Sequence, residues 1–392
     1  MVPNEQLGSI VSALNEATRV VVWHPKLVSG EYCGPVYNFR RLFDEVSPDI
    51  KFHLLGYSTS CQALKENEEC IGRSLKEGRD PSSRMVPIIQ VCAWLIVNRK
   101  RYDVYYGLTS FMFSLIPAII CKLLGKRAIV RPAGLYDYSA SPDDHLGWGK
   151  RIIKRYMFRA ISGVVAIHSG VRDACTAYGL APEKICWSPN SVDTTRFAPT
   201  ATEQCVSSKL KILHVGGLTR RKRLHVLLRA VANLVTEGYP IDVVSVGPND
   251  DDEYLGMIRS EIDARGLQSI FQWKGVIDDI ETVYRQSNIF CLPTSAEGMP
   301  NALLEAMASG LPVITTRLPG TCDVVRDGVE GFIIEQFPDS DLAGAIEKVI
   351  KRYFDEPGLL TEQGCAARKR IVESFEKTRC RRAIELFLTA QE

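Results

Sequence analysis

The feature that most constrains the fold is a regular alternation of short apolar runs with helical stretches. In the first half the apolar runs are RVVVWH, IKFHLLGY, DVYYG, RAIVRP, GVVAIH and KICWSP. The second half repeats the pattern with KILHVGG, IDVVSVG, IFQWKG, IFCLPT, PVITT and GFIIE. Apolar runs of this length between helices predict parallel β-sheets that are covered by helices on both faces.

A small, polar stretch divides this alternation into two sets. Residues 198–209 read APTATEQCVSSK, a composition typical of a linker. We therefore predict an α/β protein with two Rossmann-like, doubly wound domains facing a central cleft. The first domain is predicted over residues 1–200 and the second over residues 201–357. Ligands of such sheets bind at the carboxyl ends of the strands.

The two halves differ in charge although the whole chain is nearly neutral. Residues 1–199 hold 25 Lys and Arg against 18 Asp and Glu, and residues 200–392 hold 23 against 28. A basic first half indicates that it meets something anionic. The surplus is too small to require nucleic acid, so no nucleic-acid partner is expected.

Cysteine usage and the N-terminal sequence indicate a cytoplasmic protein. The twelve cysteines are scattered, and none lies in a Cys-x-x-Cys pair or beside a histidine at the spacing of metal ligands. Such cysteines are typical of reduced thiols rather than of disulfides or zinc. Residues 1–20 have neither the basic start nor the apolar segment of a secretory signal.

One uncharged run just reaches the length of a membrane-spanning helix. It is VYYGLTSFMFSLIPAIIC, between Asp103 and Lys122. Gly, Thr, Ser and Pro interrupt it, and another apolar run, RAIVRP, follows closely. We therefore predict a buried strand, a loop and a buried helix instead of a membrane span.

The most informative segment, TSAEGMPNALLEAMASGLPVITTRLPG, occupies residues 294–320 and follows the run IFCLPT. A helix is predicted to begin near Asn301, with Pro300 before it or in its first turn and Asn301 as its cap. Glu297 lies in the loop and Glu305 inside the helix. Free N–H groups at the helix start would bind an anion between two carboxylates able to accept sugar and ribose hydroxyls. The alternative is an ordinary helix entry with two solvated glutamates.

This segment resembles the retaining glycosyltransferases of family 4, the glycosyl transferases group 1 family, which have the GT-B fold. The family signature E-x7-E is matched by Glu297 and Glu305. The resemblance implies that Glu297 is catalytic and contacts the donor sugar near the reacting carbon, and that Glu305 binds the ribose hydroxyls. It also implies donor contacts from the residues after the first glutamate, namely Gly298, Met299, Pro300 and Asn301.

A second segment, HVGGLTRRKRLHVLLRAV, resembles the strand-to-helix element G-R-L-x-x-x-K-G of the same family. Lys222 matches the lysine that neutralises the diphosphate leaving group, which implies a catalytic role. The family arginine is Gly217 here, and the family glycine after the lysine is Arg223. We expect Arg220, Arg221 or Arg223 to supply the missing cation. The remaining donor contacts implied by the resemblance are Gly216, Gly217, Arg220, Arg221, Gly275 and Val276, and the GVI of residues 275–277 matches the family loop whose backbone reads the nucleobase.

The first half resembles the family more loosely. CGPVYNFRRL is similar to the glycine loop of the first domain and implies that Gly34 lies on the acceptor side. The segment RPAGLYDYS lacks the family histidine, and Arg131, Asp137 or His145 would take its place. The helices after about Gly358 resemble the family's return segment, so residues 358–392 are predicted to pack on the first domain.

Two further sequence features have competing interpretations. Asp250 to Asp252 form a DxD sequence, but acidic residues before a helix that starts near Glu253 favour its dipole. We therefore expect no essential metal and no cofactor. Residues 147–161 are basic and amphipathic, which predicts peripheral contact with an anionic membrane at its inner face. A core-facing helix with a charged outer face explains the same pattern equally well.

The resemblance implies a metal-independent hexosyltransferase of polysaccharide biosynthesis. It would transfer a hexose-type sugar, with retention, from a UDP- or GDP-sugar to a hydroxyl of a glycan or a lipid-linked oligosaccharide. The missing arginine and histidine motivate an alternative, a nucleotide-sugar-binding regulatory protein of the same fold that has lost catalysis. A nucleotide-sugar epimerase of similar fold is a third hypothesis, and it predicts conversion of the donor without any acceptor.

Overall fold

The structure is a computed structural model of the 392-residue chain. It describes residues 17–24, 27, 34–43, 48–58, 68–73, 81–108, 112–132, 155–199 and 209–390. The chain divides into two compact units, unit 1 with Met1–Pro189 and Cys380–Glu392, and unit 2 with Asn190–Arg379. The sequence placed the first boundary after residue 200 and the start of the return segment at residue 358.

Unit 1 contains a parallel sheet in which the described strands follow the order β3-β2-β1-β4-β5-β6-β7. Strand β3 was not predicted, because its sequence EECIGR is charged and lacks an apolar run. The strands of this sheet are β1 Thr18–Trp23, β2 Ile50–Ser58, β3 Glu68–Arg73, β4 Val104–Gly107, β5 Arg127–Val130, β6 Gly163–Ala166 and β7 Ile185–Trp187.

Helices cover both faces of this sheet. Because successive strand residues point to opposite sides, neighbouring residues of β1 pack against different helices. Val21 and Trp23 of β1 pack into one cluster with helix α2, helix α3, residues 155–160 and helix α4. Val20 and Val22 pack on the other side with helix α1 and the C-terminal helix. The first four helices are α1 Gly34–Leu42, α2 Pro81–Val97, α3 Met112–Leu123 and α4 Ser169–Ala177.

Unit 2 contains a second parallel sheet with the order β10-β9-β8-β11-β12-β13. The order reverses between β8 and β11, which is the position where doubly wound sheets bind ligands. The strands are β8 Leu210–Val215, β9 Ile241–Val246, β10 Phe271–Trp273, β11 Ile289–Leu292, β12 Val313–Thr316 and β13 Gly331–Ile334.

Two layers of helices enclose the second sheet. One face packs on α5, α6 and α10, and the other on α7, α8, α9 and α11, with Ile212 and Leu213 of β8 facing opposite layers. The helices are α5 Leu224–Thr236, α6 Asp252–Arg265, α7 Ile280–Arg285, α8 Asn301–Ala308, α9 Pro319–Val324, α10 Asp339–Asp355 and α11 Gly358–Ser374. The predicted fold class, two Rossmann-like parallel-sheet domains, is therefore confirmed.

The C-terminal helix α12, Lys377–Thr389, packs almost entirely in unit 1. Its residues Ile384 and Leu388 are fully buried in the core that also contains β1 and α1. The Arg127 guanidinium at the start of β5 donates to the carbonyls of Leu388 (2.8 Å) and Phe387 (2.9 Å). These contacts tie the last turns of the chain to the sheet of unit 1.

The uncharged run after Asp103 forms β4 and α3, as predicted. Residues Val104 to Tyr106 are buried in the sheet, and β5 follows α3 to complete a β-α-β unit. Within the part of the chain that the structure describes, none of the helices has both the length and the apolar content to cross a bilayer.

Candidate functional site

The predicted donor residues gather where β8 and β11 end, in unit 2. A short 3-10 helix, Arg220–Lys222, follows the turn after β8. The Lys222 side chain folds back over Gly216, since a Cβ at that glycine would lie 3.0 Å from Lys222 Cε. Gly216 thus allows the lysine to lie close to the strand end, largely shielded from solvent.

Lys222 and Arg221 both contact the first glutamate of the motif. Glu297 Oε1 lies 2.5 Å from Lys222 Nζ and also accepts a hydrogen bond from the Arg221 guanidinium. Arg221 further donates to the carbonyl of Ala296 (2.7 Å), and its own carbonyl accepts from the Ser295 N–H (2.9 Å). The turn after β8 and the loop after β11 are therefore joined by a cluster with two cations and one carboxylate.

The other arginines of the run point elsewhere. Arg220 is exposed and pairs with Glu253 of α6 at 2.6 Å. Arg223 pairs with Asp339 (3.2 Å) and donates to Gln336 Oε1 (2.9 Å). Of the three arginines expected to replace the missing family cation, only Arg221 contacts Glu297, the carboxylate that Lys222 also contacts.

Gly217 stands where the family has its arginine, and its surroundings fit a residue without a side chain. A Cβ at Gly217 would collide with the Asp250 carboxylate. The loop after β9 therefore occupies this space with an acidic group, so a longer residue at 217 would require Asp250 to move. The other two acids of the DxD sequence lie at the helix: Asp251 caps α6 by accepting from the Tyr254 N–H (3.0 Å), and Asp252 is its first residue.

A buried histidine lies beneath the 3-10 helix. His214 of β8 is fully buried, and its Nδ1 lies 3.2 Å from Ser245 Oγ of β9. Burial, together with the nearby Lys222 charge, lowers the pKa of the His214 imidazole to about 3. A neutral imidazole at this position adds no positive charge next to Lys222. The sequence analysis did not select His214.

Helix α8 begins at Asn301, but Asn301 does not cap it. Pro300 occupies the N-cap position, and no side chain caps the helix. The Asn301 Oδ1 atom is buried without a hydrogen-bond partner, so the predicted capping role is wrong. The first-turn N–H groups of α8 thus lack a side-chain cap, which leaves them suited to an anion.

Glu305, the second glutamate of the motif, faces the protein interior. It is 7% exposed, and its Oε2 accepts a hydrogen bond from the Tyr284 hydroxyl of α7 at 3.1 Å. The same hydroxyl lies 3.3 Å from the carbonyl of Ala302. Tyr284 therefore holds Glu305 against the first turn of α8, and sequence reasoning missed this tyrosine.

Two glycines that the sequence analysis did not select hold the predicted donor loops. A Cβ at Gly320, in α9, would collide with the carbonyl of Gly298. A Cβ at Gly247 (φ +146°), after β9, would collide with the carbonyl of Gly216. The signal that could have identified them is a glycine beside a proline shortly after a buried strand, since Gly247 and Pro248 directly follow β9, and Pro319 and Gly320 follow β12 after Arg317 and Leu318.

The loop predicted to read the nucleobase follows β10. Its first residue, Gly275, has φ +64° and accepts a hydrogen bond from the Gly247 N–H at 2.9 Å. Trp273 Nε1 donates to the carbonyl of Gly247 (3.0 Å). Val276 is 73% exposed, so an apolar side chain is available to a ligand beside this loop.

The backbone after Gly298 is held by a residue from the N-terminal end of unit 2. The Asn190 side-chain amide donates to the carbonyl of Met299 at 2.8 Å, and both residues are buried. The backbone of Gly298 and Met299 is therefore held both by this hydrogen bond and by its close contact with Gly320. Such a fixed loop suits a site that must present backbone groups to a ligand.

The predicted acceptor-side residues belong to unit 1 and are only partly described. Gly34 is the first residue of α1. Arg131 follows the carboxyl end of β5 and is buried beside Tyr106, whose hydroxyl pKa burial raises to about 12 against the opposing effect of the Arg131 charge. Asp137 and His145 lie outside the described residues, as do residues 147–154 of the predicted basic helix. Across the described residues no group of three His, Cys, Asp or Glu is placed to hold a metal ion.

Comparison with known proteins identifies the part of the chain that holds these predicted donor residues. Residues 202–370 match the family model described as "Glycosyl transferases group 1". This segment is a glycosyl transferases group 1 domain. It contains the whole Lys222–Glu297 cluster, Glu305 and the predicted base loop, whereas Gly34 and Arg131 lie before it.

Two relatives of this chain are named as glycosyltransferases, one of them for capsular polysaccharide biosynthesis. The chain is 30% identical over 168 residues to the capsular polysaccharide biosynthesis glycosyltransferase CapM of Staphylococcus aureus, a match that covers 41% of each chain. It is 21% identical over 297 residues to the UDP-Gal:alpha-D-GlcNAc-diphosphoundecaprenol alpha-1,3-galactosyltransferase of Escherichia coli, covering 73% of this chain and 74% of that one.

A solved structure extends the similarity beyond the glycosyl transferases group 1 domain. HepE of Anabaena, in complex with UDP and glucose, superposes with a TM-score of 0.75 and 17% identity, covering 96% of this chain and 100% of HepE. At this identity the likeness concerns the fold, and it confirms the predicted GT-B class.

Proposed function

We propose that the chain is a retaining hexosyltransferase that uses a nucleotide diphosphate sugar. The observation that carries this proposal is the cluster of Lys222, Arg221 and Glu297 directly before helix α8, whose N-terminus no side chain caps. Two cations and a helix N-terminus suit a diphosphate leaving group. A carboxylate between them suits a donor sugar hydroxyl.

The proposed reaction breaks the bond between the anomeric carbon and the diphosphate oxygen and forms a bond to an acceptor hydroxyl oxygen. The hydroxyl proton passes to the departing phosphate oxygen, which balances the charge. Attack on the face from which the diphosphate leaves retains the anomeric configuration without a covalent intermediate. Lys222 and Arg221 would stabilise the charge that develops on the leaving group, and Glu297 would orient the sugar.

A UDP-sugar is the donor that we propose to test before a GDP-sugar. HepE was solved with UDP and glucose, and the related Escherichia coli enzyme is named for a UDP-galactose donor. For the acceptor we propose a glycan or lipid-linked oligosaccharide hydroxyl, because relatives are named for capsular polysaccharide synthesis and for a diphosphoundecaprenol substrate.

Metal independence and membrane contact are parts of the same proposal. Because Lys222, Arg221 and the α8 N-terminus would neutralise the diphosphate, chelation of divalent metal should leave the rate unchanged. Contact with an anionic membrane at the cytoplasmic face would use residues 147–161. In the described part of this segment, Arg155, Tyr156 and Arg159 are exposed whereas Phe158 is buried.

The test combines donor binding with transfer by the purified chain. We would measure sugar transfer from UDP-glucose, UDP-galactose and UDP-N-acetylglucosamine to a lipid-linked GlcNAc-diphosphate acceptor, with and without EDTA. The anomeric configuration of the product would be read by NMR. Lys222→Ala should lower kcat by about 10²–10³-fold, whereas the exposed Lys369→Ala on α11 should leave it unchanged.

Three outcomes would contradict all or part of the proposal. Donor binding without any transfer or hydrolysis would favour the regulatory alternative, which the absence of a family arginine at Gly217 still motivates. Conversion of the UDP-sugar into its epimer without an acceptor would favour the epimerase hypothesis. An inverted product would contradict retention alone.

A further inference from the structure

Helix α2 of unit 1 exposes apolar side chains along its outer side. Val86, Ile89, Ile96 and Val97 are 42%, 62%, 43% and 76% exposed, and Ala93 between them is also exposed. Val86, Ile89, Ala93 and Ile96 are spaced by three, four and three residues, and Val97 lies four residues after Ala93, so these residues lie on one side of the helix. An ordinary surface helix carries polar residues at such positions, so this apolar side needs an explanation.

The opposite side of α2 already has a partner. Ile88, Val91 and Leu95 are buried, and Val91 and Leu95 belong to the core between this helical layer and the sheet. The helix is therefore apolar on both sides while it packs on one only. Burial in the core of unit 1 does not account for the exposed side chains.

The end of helix α3 extends the same surface. Leu123 is 79% exposed. The Tyr102 hydroxyl donates to the carbonyl of Leu95 in α2 (3.0 Å) and lies 3.5 Å from Cys121 Sγ in α3. The C-terminal ends of the two helices therefore meet at this tyrosine, which brings Val97 and Leu123 to the same end of the helical layer. We call Val86, Ile89, Ile96, Val97 and Leu123 the α2–α3 apolar face.

Cations surround that end of the face. Asp103 is the only acidic residue of the sequence between residues 81 and 132, and Arg19 binds it with hydrogen bonds of 2.9 and 2.7 Å. The local charge is therefore strongly positive. The cations that follow α2 or lie at the end of α3 are Arg99, Lys100, Arg101, Lys122 and Lys126.

We propose that the α2–α3 apolar face docks unit 1 on an anionic lipid bilayer. Exposed apolar side chains beside clustered Lys and Arg are the combination that binds the interface of an anionic membrane, with the apolar groups at the acyl boundary and the cations at the phosphates. A second copy of this chain is the rival occupant. It would bring the same cations against one another, so the charge favours lipid.

This surface is separate from the membrane contact proposed for residues 147–161. Residues 155–160 lie in the same helical layer of unit 1, since Phe158 shares the core cluster of Val91 and Leu95. The described residues 155–160 of the basic segment and the α2–α3 apolar face therefore lie on the same side of the sheet. The proposal adds apolar side chains that enter the membrane, and it stands whether or not the chain transfers sugar.

The test uses the full chain with vesicles of phosphatidylcholine alone or with one third phosphatidylglycerol. The wild-type protein should float with the anionic vesicles and lose binding as salt increases. The variant Ile89→Ser/Val97→Ser/Leu123→Ser should bind at least tenfold more weakly. The matched control Val372→Ser, an exposed valine on α11 of unit 2 (43% exposed), should bind as the wild type does.

A fluorescence measurement separates insertion from simple electrostatic attraction. Tryptophan emission of Ile89→Trp should shift to the blue and be quenched by brominated lipids in anionic vesicles, and that of Val372→Trp should not. UDP affinity of all variants should match the wild type, which separates this test from that of the proposed function. Unchanged vesicle binding of the triple variant would overturn the proposal. So would a concentration-dependent dimer that only the triple variant abolishes, because the face would then join two copies.

Discussion

Glu297 and Glu305 have different surroundings, which predicts different roles for the two carboxylates. Glu297 contacts the two cations Lys222 and Arg221 before the start of α8, whereas Glu305 is buried and accepts a hydrogen bond from Tyr284. We expect Glu305→Ala to raise the Kd for UDP by about 10- to 100-fold, the effect of losing charged hydrogen bonds worth about 1.5–3 kcal/mol. Glu297→Gln should leave this Kd nearly unchanged and lower kcat. Calorimetry and initial rates measure the two effects, and negligible effects of both substitutions would refute the site.

The buried His214 predicts how stability depends on pH. Its pKa of about 3 in the folded chain lies below the ordinary value of 6.5, so the unfolded chain binds more protons between these values. The free energy of unfolding therefore keeps its full value, as far as His214 is concerned, above pH 6.5. As the pH falls from 6.5 toward the folded pKa of about 3, it decreases by about 1.4 kcal/mol per pH unit. Urea unfolding should show that the free energy of unfolding of unit 2 decreases less steeply with falling pH in His214→Gln than in the wild type. Parallel pH profiles of the two proteins would contradict a neutral, buried imidazole.

At the scale of elements, the first turn of α9 supports the loop before α8. Gly320 packs so closely on the Gly298 carbonyl that Gly320→Ala must displace the loop backbone. We expect kcat/KM to fall by about a hundredfold, as for other small displacements of positioning groups. The control is Gly344→Ala in α10. An added Cβ has open space there, and the substitution replaces a glycine within a helix. Equal activity of the two variants would show that the loop tolerates the shift.

The residues of the candidate site could be predicted from sequence where the motif that marks them lies within one short segment. Glu297, Glu305 and the start of α8 lie within a single run, so spacing alone places them in a loop and on a helix. Tyr284 and Gly320 could not be found in this way, because each acts on a loop that is distant in sequence. The position of Arg221 likewise depends on the carbonyl and carboxylate that the β11 loop presents to it.

At the scale of the whole molecule, both sheets could be predicted because their central strands are buried on two sides. A strand buried on both faces has a continuous apolar sequence, as in β1 and β11. Strand β3 was not predicted because it is the edge strand among the strands that the structure describes and carries Glu68, Glu69 and Arg73. Helix α12 belongs to unit 1 although it follows unit 2 in sequence, and this depends on distant contacts that apolar periodicity does not contain.

The placement of α12 predicts that a substitution near the C-terminus weakens the N-terminal sheet. Ile384 is fully buried in the core of unit 1, whereas Ile371 of α11 is fully buried in the core of unit 2. Replacing either by alanine should cost about 2–5 kcal/mol, but in different units. Hydrogen exchange with mass spectrometry should show faster exchange of β1 and β4 for Ile384→Ala, and of β8 and β11 for Ile371→Ala. The two variants make the same substitution in different helices. If Ile384→Ala instead increased the exchange of β8 and left β1 unchanged, α12 would belong to unit 2.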